Sequence, residues 1–95
     1  MKKDLTIYVQ QWQTNGYYPT SCYKRVNGKW SHGMHKVSCD KNYFNMHESN
    51  LGDNYFWYLL RENFRVFSTE PIWSGEIMHK GNLTKEDVRR MIFED

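Results

Sequence analysis

Cys22, His32, His35, Cys39 and His47 are residue types that ligate zinc. Their spacing is C-x9-H-x2-H-x3-C-x7-H, which lacks the paired C-x2-C of structural zinc sites. Local turn chemistry separates them further. Asn27-Gly28 lies between CYKRV and KWSH, and both turn residues tolerate positive φ, so a two-residue type I′ hairpin is predicted. That turn sets Val26 opposite Lys29, Arg25 opposite Trp30, Tyr23 opposite His32 and Cys22 opposite Gly33. Were the strand to continue, Cys39 would lie ~20 Å from Cys22 at 3.3 Å per residue, beyond a shared ion or a disulfide. A sharp turn at Gly33 would leave His35 and Cys39 as the best pair. No metal and no cofactor are expected.

Catalysis finds no better footing. A nucleophile needs a base and an orienting acid at workable spacing. The chain has no Gly-rich phosphate loop, no H-E-x-x-H and no G-x-S-x-G. No catalytic residues are expected, and the chain is read as not an enzyme.

Rings interleaved with cations are the more telling pattern. Tyr17, Tyr18, Tyr23, Lys24, Arg25, Lys29, Trp30, His32, His35 and Lys36 could stack bases and track a phosphate backbone. The alternative places Tyr23 and Trp30 in the core, with Arg25 on Trp30 as an internal cation–π pair and lysines keeping an edge strand soluble. Tyr, Trp and Arg are also the types that dominate protein interfaces. Trp12, Tyr17, Tyr18, Trp57, Tyr58 and Trp73 are too many rings for so short a chain to bury. The residues expected to meet a partner are therefore Tyr17, Tyr18, Tyr23, Arg25, Lys29, Trp30, His32, Trp57 and Tyr58.

These side chains must be held by one small domain. Ninety-five residues allow a single core. Hydrophobic residues are 39% but aromatics are 17%, so a few large rings carry most of the buried area. The net charge of +2 is modest for a nucleic-acid binder, although residues 1–50 carry seven Lys/Arg against three Asp/Glu and residues 51–95 carry six against eight. No apolar run reaches membrane length. Met1-Lys2-Lys3 lacks the apolar segment a signal peptide needs, so a cytoplasmic location with reduced thiols is expected.

Along the chain, Leu5, Ile7 and Val9 alternate with polar residues and predict a strand over 5–13, which leaves Trp12 exposed unless a bulge intervenes. Asn15-Gly16 marks a turn. Pro19 predicts that the first hairpin strand lies at a sheet edge or begins near that point. The aromatic hairpin face, Tyr23, Arg25, Trp30 and His32, is the one expected to pack on the core. Residues 34–39 extend the second hairpin strand or begin a third, and 40–50 reads as a loop.

The densest apolar stretch is 51–67, LGDNYFWYLLRENFRVF. Phe56, Leu59, Leu60 and Phe64 at helical spacing predict a helix over about 53–63, with Asn50 or Asp53 as its cap. Residues 64–69 follow as a strand. Ile72-Trp73 and Ile77-Met78 around Ser74-Gly75 predict a second short hairpin. Thr84-Lys-Glu-Asp87 is a capping box and Leu83 with Val88 a hydrophobic staple, so a helix is predicted over about 85–93.

The expected fold is α+β: a small antiparallel sheet of four or five strands with a central aromatic helix and a C-terminal helix packed on it. The expected function is a non-enzymatic binding protein. The absence of alanine and the richness in Asn, Lys and Tyr resemble the products of AT-rich genomes, bacteriophages among them. This suggests a phage-type accessory protein that binds and inhibits a host protein, acting in the host cytoplasm. A small nucleic-acid-binding protein using the basic aromatic hairpin is the alternative.

Overall fold

The alternation that begins at Leu5 builds the second-from-edge strand of a five-stranded antiparallel sheet, the frame for everything else. The computed structural model describes residues 2–12 and 15–94. Strands β1 (Leu5–Gln10), β2 (Thr20–Val26), β3 (Lys29–His35), β4 (Phe44–Glu48) and β5 (Val66–Ser68) stand in the order β4-β3-β2-β1-β5. Helix α1 (Asp53–Asn63) precedes β5, and α2 (Lys85–Phe93) ends the chain. No helix among the described residues is long and apolar enough to cross a membrane.

The hairpin register follows from its turn. Asn27 and Gly28 take φ of 53° and 79°, and Val26 faces Lys29, Arg25 faces Trp30, Tyr23 faces His32 and Cys22 faces Gly33. One sheet face then carries Leu5, Ile7, Val9, Tyr23, Trp30 and Phe67. It is buried against Phe56, Leu60 and Phe64 of the α1 segment and Val88 and Ile92 of α2. Trp30 stacks on Phe56 with centroids 4.7 Å apart, while Tyr23 meets Phe56 and Phe64 edge-on. Both helices have the bounds expected from periodicity and capping. Thr84 and Asp87 form the full capping box, and Leu83 packs against the core that contains Val88.

Several expectations need correction. The first strand ends at Gln10; Gln13, where it was expected to stop, lies outside the described residues. Trp12 is exposed. Of the two readings of Pro19 the second holds: β2 begins at Thr20, directly after it, so this middle strand loses no ladder donor, and the Pro19 carbonyl accepts from Gln11 N–H at 3.1 Å. The expected loop over 40–50 contains β4, whose FNMHE sequence is too polar to announce a strand and is held by its ladder to β3.

The expected hairpin around Ser74-Gly75 is not one. Residues 71–80 contain the turn but no strand: Ser74 and His79 N–H donate to side chains of the sheet, and Gly75 N–H donates to Tyr18 O. Neither Asn50 nor Asp53 caps α1. Gly52 holds that place with no side-chain bond, and Asp53 is the first helical residue, with its carboxylate turned into the sheet.

Candidate functional site

Arg25 shows how the helix-covered face disposes of a charge. It has no exposed surface, yet Nη1 donates to Ile92 O at 2.9 Å, Nη2 to Lys3 O at 2.9 Å and Nη1 also reaches Asp53 Oδ1 at 3.3 Å. Trp30 Nε1 donates to the same Asp53 oxygen at 2.8 Å, Lys2 pairs with the other, and the guanidinium lies 5.9 Å over the Trp30 ring. One buried cation thus joins the N-terminal segment, the start of α1 and the end of α2.

Tyr23, Arg25 and Trp30 are therefore core residues and present no surface to a partner. Burial pushes the Tyr23 hydroxyl up to about 12. His32 is half-buried at the margin of the same face, stacked on Tyr23 at 5.5 Å and opposite His47 of β4. Burial, and secondarily His47, hold its imidazole below the usual histidine range.

The remaining expected residues scatter. Lys29 is exposed beside the hairpin turn. Tyr17, exposed, and Tyr18, half-buried, precede the other end of β2, ~20 Å away along the strand. Trp57 is half-buried and Tyr58 exposed on α1, with the Arg61 guanidinium 5.7 and 5.6 Å from their ring centroids. The fold does not gather these residues into one basic aromatic patch.

The opposite sheet face forms a more coherent site. Gln10, Thr20 and His35, adjacent across β1, β2 and β3, lie beneath the 71–80 strap. Ser74 N–H donates to His35 Nδ1 at 3.1 Å, Thr20 N–H donates to Ser74 Oγ at 3.1 Å, and His79 N–H donates to Gln10 Oε1. Trp73 on the strap lies 5.5 Å from the His35 ring and 5.9 Å from Phe44.

Beyond the strap the face is open. Tyr8, Cys22, Lys24, Asn42, Phe44, Met46, Pro71 and Trp73 line a concavity of about 160 Å³. Larger depressions of about 480 and 540 Å³ flank the hairpin turn and the start of α1. The sheet concavity brings three rings together, Tyr8, Phe44 and Trp73, where the larger depressions have one and two, so it is the better-built one. Tyr8 and Phe44 close to 5.7 Å over the small residues between their strands. One of these is Gly33, where a Cβ would come within 2.8 Å of Met46 Cα and displace β4.

Burial pushes the Cys22 thiol up to about 11 against the opposing pull of Lys24, and raises Tyr8 as well. A neutral thiol, a phenol, rings and one ammonium group can bind through apolar contact, hydrogen bonds and charge. Cys22 and exposed Cys39 are both free thiols, and no cluster of three metal-ligating side chains occurs among the described residues.

Of this lining, the hairpin register alone placed Cys22 and Lys24 on the face away from the core. Phe44 and Met46 arrive from β4, which had no local strand signal, and Trp73 from the strap, whose turn signal pointed to a hairpin instead. Comparison with family models, curated proteins and solved structures finds no match.

Proposed function

We propose that this chain is a non-enzymatic binding protein and that its ligand is another protein. One observation carries the reading: the sheet face opposite the helices is open beyond the strap and forms a ring-lined concavity with Lys24 among its lining. The cysteine there is held protonated, which suits contact better than nucleophilic attack. On composition, we propose further that it is a phage-type accessory protein that inhibits a host protein. Trp57, Tyr58 and Arg61 offer a second ring-and-cation surface on α1.

Affinity capture from host lysate, with and without nuclease, tests this reading. The expected result is a protein retained after nuclease treatment and at raised salt, and lost on Lys24→Glu. Capture that disappears with nuclease, or falls steeply with salt, overturns the reading in favour of nucleic acid.

A further inference from the structure

The sheet ends differently at its two edges. At the β5 edge the chain folds back: Asn82 N–H and Leu83 N–H both donate to Phe67 O at 3.1 Å, and Thr69 N–H donates to Asn82 Oδ1 at 2.9 Å. At the β4 edge no described segment does this. The β4 ladder is regular, with Ser31 to His35 facing Glu48 to Phe44 one for one. Ser49 N–H donates to Trp30 O at 2.9 Å and Lys36 N–H to Tyr43 O at 3.4 Å. Antiparallel pairs alternate between bonded and non-bonded. Residues 43, 45, 47 and 49 therefore bond inward to β3, while Phe44, Met46 and Glu48 turn their backbone N–H and C=O outward. The strand contains no proline, lysine or bulge, the usual devices that protect an edge.

We propose that β4 pairs antiparallel with β4 of a second copy of this chain, about a twofold axis through Met46. The strand is its own complement in that register. The outward groups of Phe44, Met46 and Glu48 meet those of Glu48, Met46 and Phe44 in the second copy, so all three positions gain ladder bonds. Met46 faces Met46, Phe44 faces Glu48 and Asn45 faces His47, with no like charges opposed. The two sheets become one, and the concavities, each walled by Phe44 and Met46, become neighbours across the axis. This inference does not depend on the binding function proposed above, since it uses the edge and not the concavity.

Sedimentation velocity up to millimolar concentration, on the full chain, tests it. The expected species has twice the 11.6 kDa chain mass. Met46→Lys and Met46→Glu each place like charges across the axis and weaken association about fivefold or more, and their equimolar mixture restores it. In a Cys39→Ser background, Met46→Cys oxidises to an intermolecular disulfide, because a bonded antiparallel pair stands ~5.5 Å apart at Cα. A monomer at every concentration overturns the proposal. So does a dimer that both charge variants leave intact, since another surface would then hold it.

Discussion

The two faces of the sheet are covered by different physics. The helix face is closed by apolar area: Ile7, Val9, Trp30, Phe56, Leu60, Val88 and Ile92 are essentially without exposed surface. Its buried cation Arg25 is given partners from three segments. The strap face is closed at one end by polar pins from His35, Gln10 and Thr20 to residues 74–79, and is open at the other. Three buried atoms under the strap, Gln10 Nε2, Thr20 Oγ1 and His35 Nε2, have no protein partner in the structure. A layer held this way gains less than a packed core and is the first to open. The helix face makes the domain fold; the strap face is where binding can be added without dismantling it.

Adjacent residues give the sharpest way to break that contrast. Arg25 and Lys24 are neighbours in β2 and point to opposite faces. Arg25→Met leaves Asp53 and two carbonyls facing an apolar side chain, at a cost of about 3–5 kcal/mol. For a domain of this size that is at least about 12 °C in Tm. Lys24→Met should change stability by less than about 0.5 kcal/mol. Urea melts of the pair decide it: equal losses would erase the distinction between the faces.

The two cysteines sharpen it. With the Cys22 thiol pushed up to about 11 from an ordinary 9.0, its thiolate fraction at neutral pH is about 100-fold below that of an unperturbed thiol. Iodoacetamide should therefore label exposed Cys39 first and Cys22 slowly, with Trp73→Ala accelerating Cys22 by loosening the strap. If Trp73→Ala leaves the Cys22 rate unchanged, the strap does not guard that site.

A smaller effect belongs to the helix face. Thr84 Oγ1 accepts from Asp87 N–H at 3.1 Å, and Asp87 Oδ2 accepts from Thr84 N–H at 2.9 Å. Thr84→Ala should cost about 1 kcal/mol and fray the first turn of α2, seen as faster amide exchange at residues 85–88. The strap should be unaffected.

The elements with local signals were legible in the sequence: both helices, the Asn27-Gly28 register and the aromatic face that packs on the core. What escaped was assembled across long sequence separations. Strand β4 is specified by β3 and not by its own polar FNMHE. The strap is pinned by the Gln10 and His35 side chains of β1 and β3 and by the Thr20 backbone N–H of β2, which no pattern within 71–80 encodes. Asp53 looked like a cap because caps and buried network partners use the same residue types. Tyr23, Arg25 and Trp30 drew two expectations at once, core and partner contact, and only their burial separates the two. Of the concavity, Cys22 and Lys24 could be placed on the outer face from the turn, but their company could not.

His32 sits at the margin between a closed face and the open β4 edge, and its titration measures how closed that margin is. Its ring is stacked on Tyr23, tilted against Phe56 at 5.6 Å and faces His47 across the ladder. Burial lowers its pKa first and His47 second. The unfolded chain therefore binds the proton more readily than the folded one. Stability from the neutral ring is present above the ordinary histidine range near 6.5 and is lost as pH falls through it. Imidazole resonances followed by NMR should place the His32 midpoint below that of a free histidine. His47→Gln should raise it only part of the way, because burial remains. A His32 that titrates at the free value would mean that water reaches the Tyr23–Phe56 stack, and the closed face would then end one strand short of β3.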